Sequence, residues 1–180
     1  GGSVTRKLIL FTVGVVAMTV LGLGVALAQG TKTVRTLGDE DLKPNVGVHA
    51  TLHFSPGPLN VEPGETVTWE GADKAGAPHS VTLTRDAGDL VQTFSDFALG
   101  TCPACDAAIG AAFAGHFPAG APVLQVGTGD GFGDDGDSIL FGNGFPPSVT
   151  VTLDNVTPGE TVYYFCAFHP WMQGSIDVKG

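Results

Sequence analysis

Three side chains near the C-terminus have the types and the spacing needed to bind a soft metal ion together. Cys166, His169 and Met172 stand at positions i, i+3 and i+6 of the segment C-A-F-H-P-W-M. With one more histidine, they make the ligand set of a trigonal His2Cys copper site with a long, weak axial methionine. A tight loop between two strand ends can turn all three side chains onto one ion. His79, in the segment G-A-P-H-S-V, is the candidate for the missing ligand.

These two segments resemble a known family. The pattern G-x-P-H-S-V, a strand of aromatic residues and then C-x-x-H-P-W-M is similar to the type 1 blue copper proteins, or cupredoxins. The ligand loop is most similar to that of the amicyanin and pseudoazurin branch, which reads C-x2-H-x2-M, whereas plastocyanins have two more residues before the methionine. The resemblance covers Val46–Leu83 and Ser148–Lys179, about half of the chain that follows residue 28.

The resemblance implies an all-β fold, a Greek-key β-sandwich that binds one copper ion and is not an enzyme. Its ligands would be His79, Cys166, His169 and Met172. The implied function is single-electron transfer, with copper alternating between Cu(I) and Cu(II). The implied partners are redox proteins outside the cytoplasm, such as a cytochrome, an oxidase or a dehydrogenase.

The resemblance also places the C-terminal histidine ligand near the surface, inside an apolar electron-transfer patch. Phe168, Pro170 and Trp171 would form that patch in this chain. Pro170 removes one backbone N–H near the copper loop, and hydrogen bonds near the Cys sulfur tune the reduction potential. Ser80 follows the first histidine where the family often has Asn.

Other classes of copper protein have sequence features that this chain lacks. Copper enzymes with cupredoxin domains typically use His-x-His pairs or a histidine next to the cysteine, and none of the five histidines here is so placed. Copper storage favours methionine-rich sites, and the chain has only Met18 and Met172. A fixed copper-containing or assembly subunit of a membrane redox complex stays open as the alternative.

Two nearly identical turns support a β-sandwich independently of the metal ligands. Val61–Val67 and Val156–Val162 match at six of seven positions, and both contain Pro-Gly-Glu-Thr. Pro followed by Gly suits the two central positions of a type II turn. Alternating or aromatic residues follow each turn, and Val149–Leu153 alternates in the same way, which is typical of strands.

The charge balance argues against nucleic-acid binding. The chain has 8 basic and 18 acidic residues, and Arg6 and Lys7 are the only charged residues before position 29. The rest therefore has 6 bases and a net charge of −12. Nucleic-acid binding requires cationic patches that replace condensed counterions. An acidic surface suits a saline habitat or a basic redox partner, for which complementary charge chiefly raises the rate of association.

The N-terminal segment predicts export. Residues 1–28 read as a signal peptide or a membrane anchor, because Arg6 and Lys7 precede the uncharged run Leu8–Ala28. The A-L-A at its end suits signal cleavage, whereas its length suits a membrane-spanning hydrophobic helix. Both alternatives place the domain on the periplasmic or extracellular face, the second one anchored to the membrane. We expect a linker over 29–45 and the copper-binding domain over 46–180.

A long insertion separates the first histidine from the ligand loop. The excess lies at about 86–147 and is rich in Gly and Asp. Its first part, to Leu99, could be a short helix or an irregular loop. Cys102 and Cys105 form a CxxC motif, for which a small structural disulfide is the simplest account in an exported protein. Thioredoxin-like exchange would require a strand-to-helix setting.

Other polar residues are weaker candidates for metal sites. His49 and His53 are four residues apart and could bind a second metal, but two surface histidines are expected. His116 is expected to face solvent. The acidic run at 130–137 suggests Ca2+, yet it lacks the closing Glu of an EF-hand, which favours a solvated loop.

Overall fold

The computed structural model describes residues 30–127, 129 and 131–180. The predicted signal peptide or anchor lies outside the described residues. Within the described part of the chain, no helix has the length and apolar character needed to cross a bilayer.

Two sheets pack face to face around one core. The first sheet has four strands, which are β1 (Thr31–Leu37), β4 (His53–Ser55), β6 (Thr66–Gly71) and β10 (Ser148–Thr152). Their order in the sheet is β10-β6-β1-β4. Strand β1 pairs in parallel with β6 and antiparallel with β4.

The second sheet contains the strands that position the candidate ligands. Its six strands are β5 (Leu59–Val61), β7 (Pro78–Thr84), β8 (Gln125–Val126), β9 (Ser138–Gly142), β11 (Thr161–Phe165) and β12 (Gln173–Val178). Their order in the sheet is β5-β12-β11-β7-β9-β8. Because β11 lies antiparallel to β7, with Phe165 opposite Thr82, the end of β11 approaches the start of β7.

Alternating side chains fill the space between the sheets. In β6, Val67 and Trp69 are fully buried, while Thr66, Thr68 and Glu70 beside them are partly exposed. Tyr164 packs edge-on against Trp69, with ring centroids 5.7 Å apart. This alternation is what a strand with one buried face requires. The predicted all-β sandwich is confirmed.

Both Pro-Gly turns have the predicted type II character. Gly64 and Gly159 have φ values of 80° and 87°, which a residue without Cβ adopts easily. The amide of Glu65 donates to the Glu62 carbonyl, and the amide of Glu160 donates to the Thr157 carbonyl. Each turn leads directly into a core strand.

The expected linker at 29–45 is largely strand. Its residues 31–37 form β1 in the middle of the first sheet, where Val34 and Thr36 are fully buried. Strand β2 (Glu40–Lys43) then pairs with β3 (Gly47–Ala50) as a separate hairpin. The alternation of β1 is visible in T-K-T-V-R-T-L, but one of its two buried positions holds a polar residue, Thr36.

The insertion adds a layer on the outer face of the six-stranded sheet. It contains a 3-10 helix (Ala87–Asp89), α1 (Phe94–Leu99) and α2 (Pro103–His116). Leu90 and Ala112 pack there with Phe165 and Ala167 in a second apolar cluster. The last part of the predicted 86–147 insertion belongs to the sandwich, because β9 pairs with β7.

Candidate metal centre

Three potential ligand atoms converge inside the sandwich. The Sγ of Cys166 lies 3.9 Å from Nδ1 of His79 and 3.7 Å from Nδ1 of His169. All three residues are buried, and their ligand atoms lie within 4.8 Å of one another. His79 comes from β7, and the other two come from the loop that follows β11. The fold thus brings His79 together with two residues that lie about 90 positions further along the chain.

Backbone hydrogen bonds close the ligand loop. The amide of Met172 donates to the His169 carbonyl at 2.7 Å, and the amide of Cys166 donates to the Met172 carbonyl at 3.0 Å. Met172 is fully buried and belongs to the same core cluster as Cys166. The side-chain amide of Gln173 donates to the Pro170 carbonyl at 2.9 Å and to the Val91 carbonyl at 2.8 Å. The loop is therefore tied to itself and to the insertion.

A buried carboxylate orients His79. Asp73 Oδ2 lies 2.8 Å from Nε2 of His79 and accepts a hydrogen bond from the Thr36 hydroxyl at 2.9 Å. Asp73 Oδ1 accepts one from the amide of Ala77 at 3.1 Å. Burial opposes ionisation of Asp73, but these bonds lower its pKa below the usual value. Because an ionised carboxylate only accepts, Nε2 must carry the proton, which leaves Nδ1 free to bind a metal.

The electrostatics favour neutral imidazoles and a neutral thiol before a metal binds. Burial lowers the pKa of His79, against the opposing effect of Asp73. Burial lowers the pKa of His169 to about 4, together with the repulsion that the nearby His79 ring exerts when it is protonated. Burial raises the pKa of the Cys166 thiol, although the amide of Ser80 donates to its Sγ at 3.3 Å. A neutral imidazole is a ready ligand, whereas the thiol must lose its proton.

The donor set and its dimensions fit copper. Three ligand atoms each about 2.1 Å from a shared centre in one plane would lie about 3.6 Å apart. The two sulfur-to-nitrogen separations of 3.7 and 3.9 Å are close to that value. A thiolate with imidazoles and a nearby thioether is the ligand combination of blue copper sites.

A cleft lies over the exposed edge of the site. It has a volume of about 820 Å³ and is lined by the β2–β3 hairpin, the start of α1 and the ligand loop. Trp171 and Phe168 are half-buried, and Pro170 is buried. The ring centroids of His169 and Trp171 are 5.4 Å apart. The proposed patch residues therefore belong to the ligand loop. The β2–β3 hairpin, which precedes β7, and the start of α1, which follows it, surround them.

A family comparison agrees with this geometry. The sequence profile of copper binding proteins of the plastocyanin/azurin family matches residues 42–179. The chain belongs to this family. It is therefore a copper-binding cupredoxin, as the sequence pattern predicts. Among curated proteins, none has a sequence that matches the chain significantly.

Solved structures of several cupredoxins are similar to this one at low identity. An auracyanin from Roseiflexus castenholzii is 15% identical, with 83% of this chain and 97% of that chain covered and a TM-score of 0.46. The azurin Az-iso2 from Methylomonas sp. strain J is 19% identical, with 85% and 100% covered and a TM-score of 0.47. Amicyanin from Paracoccus versutus is 13% identical, with 83% and 81% covered and a TM-score of 0.38.

The disulfide of this cupredoxin is confirmed. Cys102 and Cys105 are bonded at the start of α2, where Cys102 is the N-cap residue. Cys166 is a free cysteine and is buried. The CxxC pair thus lies on the insertion, apart from the ligand loop.

The weaker metal candidates do not assemble into sites. Within the ranges that the structure describes, the group of His79, Cys166 and His169 is the one cluster able to hold a metal ion. His49 and His53 are exposed, as expected. In the acidic run, Asp137 is buried and accepts the amides of Gly133 and Asp134 at 2.8 Å each, so this carboxylate shapes its own loop.

His116 does not face solvent as expected. It is the last residue of α2, is 1% exposed, and contacts Ser138 of β9 through Nε2. The prediction was wrong because the insertion forms a packed helix, and no sequence pattern indicated which residues that helix would bury. Asp73 and Thr36 were also not identified as site residues. An acid six residues before a histidine has no distinctive pattern, and Thr36 lies in the segment that was expected to be a linker.

Proposed function

We propose that this cupredoxin transfers single electrons at a type 1 copper centre held by His79, Cys166, His169 and Met172. The observation that carries the proposal is the convergence of two imidazole nitrogens and one cysteine sulfur within 4.8 Å inside a copper-binding fold. The burial of Met172 in the same cluster supports its role as the axial ligand. Copper bound there supplies one-electron exchange between Cu(I) and Cu(II).

The protein's contribution is to hold the ligands still. Asp73 and Thr36 fix the ring of His79 through charge-assisted and hydroxyl hydrogen bonds. The bonds between Cys166, His169 and Met172 fix the loop. A metal site that is formed before the metal arrives changes little when its charge changes, and this lowers the reorganisation needed for electron transfer. These supports suit a carrier more than an enzyme.

His169 is the natural path for the electron. Its side chain is 10% exposed, whereas His79 is 0% exposed. The ring of Trp171 and the half-buried Phe168 stand beside it. Nε2 of His169 lies 3.8 Å from Oε2 of Glu40 on the hairpin. A partner that enters the cleft would reach the histidine edge between apolar walls.

We further propose that the protein works outside the cytoplasm with a cationic redox protein. The disulfide between Cys102 and Cys105 supports an oxidising compartment. The 18 acidic residues against 8 basic ones support a basic partner, such as a cytochrome, whose approach the acidic surface would accelerate. Membrane attachment through Leu8–Ala28 is part of the same proposal.

The proposal is tested by adding one equivalent of Cu(II) to the purified metal-free protein. We expect an intense blue thiolate-to-copper absorption band and a narrow copper hyperfine splitting in the EPR spectrum. Cys166→Ser should abolish both, because serine does not provide a soft thiolate. The double variant Cys102→Ser/Cys105→Ser is the matched control and should keep both signals.

A pale Cu(II) spectrum that Cys166→Ser leaves unchanged would contradict the ligand set. Electron transfer itself is tested by mixing the oxidised protein with a reduced, cationic cytochrome. Loss of the blue band with one electron taken up per protein is the expected result, and a blue protein that no such partner reduces would contradict the carrier function.

A further inference from the structure

A row of buried polar side chains runs under the insertion. Ser80 and Thr82 of β7 and Ser138 of β9 point to the outer face of the six-stranded sheet, and His116 of α2 covers them. None of the four is more than 3% exposed. Apolar residues such as Leu140 and Phe165 occupy other buried positions of β9 and β11. Burying four polar side chains there is unfavourable unless they bond to one another.

The four side chains form a continuous chain of hydrogen bonds. Nε2 of His116 lies 2.7 Å from Oγ of Ser138, and that oxygen lies 2.7 Å from Oγ1 of Thr82. Thr82 Oγ1 is 3.4 Å from Oγ of Ser80. Ser80 Oγ accepts the amide of Ala167 at 2.8 Å. The chain therefore begins on the insertion and ends on the residue after Cys166.

The groups at the two ends fix the direction of every bond. Nδ1 of His116 lies 2.7 Å from the carbonyl of Val123, and a carbonyl can only accept. Burial lowers the pKa of His116, so the ring is neutral and Nε2 is an acceptor. At the other end, the amide of Ala167 can only donate. The hydroxyl protons must therefore all point away from the ligand loop and towards His116.

This direction matters for the sulfur of Cys166. Ser80 contacts the ligand loop through its Oγ, which accepts from Ala167, and through its own amide, which donates to Cys166 Sγ at 3.3 Å. Its hydroxyl is also a neighbour of that sulfur. A Ser80 hydroxyl that donates towards Thr82 keeps its lone pair for the Ala167 amide and cannot donate to the sulfur. Hydrogen bonds to a ligand sulfur tune the metal that it binds. His116, the terminal acceptor of the chain, thus determines whether the Ser80 hydroxyl donates a hydrogen bond to the Cys166 sulfur.

We propose that His116 is a positioning residue for the metal centre, the terminal acceptor of a hydroxyl chain that fixes the hydrogen bonds of Ser80 to the Cys166–Ala167 segment. The insertion then does more than cover the sheet, because it supplies the group that orders this chain. A structural role alone predicts that any loss of packing under α2 has the same effect as loss of the His116 nitrogen.

The experiment compares four single variants and one double variant of the metal-free protein by amide hydrogen exchange. His116→Leu removes the acceptor, Ser138→Ala removes the next hydroxyl, and His116→Gln returns an acceptor oxygen near the position of Nε2. Ile109→Ala is the control for packing, because Ile109 lies on α2, packs against the second apolar cluster and takes no part in the chain of hydrogen bonds. The amide of Val67, in the other sheet, reports overall stability in each variant.

Relative to Val67, we expect the Ala167 amide to exchange about tenfold faster in His116→Leu and in Ser138→Ala, the change that one lost hydrogen bond produces. His116→Gln should restore most of the protection, and Ile109→Ala should leave the ratio unchanged. The double variant His116→Leu/Ser138→Ala should exchange no faster than either single variant, because both act through one chain.

Equal exchange of Ala167 in Ile109→Ala and His116→Leu would overturn the proposal, as would additive effects in the double variant. If His116→Leu does not fold, Ser138→Ala and His116→Gln still decide the matter. A second measurement, the reduction potential and blue band of the copper-loaded variants, rests on the proposed ligand set. Both should shift in His116→Leu and in Ser138→Ala but not in Ile109→Ala. The exchange measurement does not depend on copper, so the two proposals can fail separately.

Discussion

At the scale of single residues, Asp73 connects burial to metal binding. Its side chain is 2% exposed and has three hydrogen-bond donors around it, from His79, Thr36 and Ala77. The carboxylate raises the basicity of the His79 ring and keeps Nδ1 unprotonated, which is what a metal requires. Removing the negative charge of Asp73 while keeping the shape of its side chain should therefore lower the affinity for copper without abolishing binding.

We expect Asp73→Asn to lower the affinity for copper by about 10- to 100-fold, the usual effect of losing the group that supports a ligating histidine. The measurement is competitive titration with a chelator of known affinity. Asp41→Asn is the matched control, since it removes the same charge from a side chain that is 58% exposed. An equal loss of affinity in both variants would show that total charge, and not the contact with His79, sets the affinity.

The four proposed ligands were predictable from sequence, and their supports were not. The spacing of Cys166, His169 and Met172 constrains one loop, so it leaves a local pattern. His116 acts through contacts between elements that are distant in sequence. Asp73 lies six residues before His79, but an acid at that spacing forms no distinctive pattern, so it has the same appearance in a sequence whether it is buried or solvated.

At the scale of secondary structure elements, the end of β9 limits how closely the strands can approach His79. Gly142 has a φ of 90°, and a Cβ at this position would lie 2.7 Å from the Ala77 carbonyl oxygen and 3.3 Å from Cδ2 of His79. Gly144 has a φ of 82° but has open space around it. Both glycines thus have a left-handed backbone conformation that other residues rarely adopt, but only Gly142 has close neighbours where a side chain would lie.

We expect Gly142→Ala to destabilise the protein by about 2–4 kcal/mol, because it adds a clash to the unfavourable backbone conformation. Gly144→Ala should be destabilising by only about 1 kcal/mol, from the backbone term alone. Urea unfolding of the metal-free proteins measures both. Similar losses of stability would show that β9 moves easily away from His79, which would contradict a rigid site.

Three of the sandwich strands, β6, β10 and β11, were predictable because their apolar residues alternate or cluster, as in Val149–Leu153, and because β6 and β11 each follow a Pro-Gly turn. Strand β1 escaped detection because threonine and lysine fill much of its length and its partner β6 is distant in sequence. Helix α2 is rich in alanine and glycine, so it has no strong apolar stripe to mark it. It is held by packing on a sheet that the sequence alone does not position.

At the scale of the whole molecule, three buried histidines make the metal-free protein sensitive to acid. Burial lowers the pKa values of His79, His116 and His169 in the folded state, the last to about 4. In the unfolded chain they bind protons below about pH 6.5. The unfolded state therefore binds more protons in mildly acidic solution, so stability falls as the pH falls. The pKa of Asp73 is also lowered, so the stability that its ionised form provides is lost only as the pH falls below the ordinary pKa of 3.8.

We expect the free energy of unfolding of the metal-free protein to decrease between about pH 7 and pH 5, with roughly 2 kcal/mol of the loss due to His169 alone. Urea unfolding at the two pH values measures it. His169→Gln should reduce the pH dependence, whereas His53→Gln, at an exposed position, should leave it unchanged. Stability that is constant over this range would contradict neutral, buried imidazoles.

The wide separation of the ligands along the chain has a consequence for how the protein matures. Cys166 and His79 are 87 positions apart, and they meet only after β11 has paired with β7. A newly made chain therefore offers copper only the three candidate ligands of the C-terminal loop, and the set is completed when the sandwich has formed. We expect copper to bind tightly only to the folded apoprotein, by way of the cleft that His169 lines.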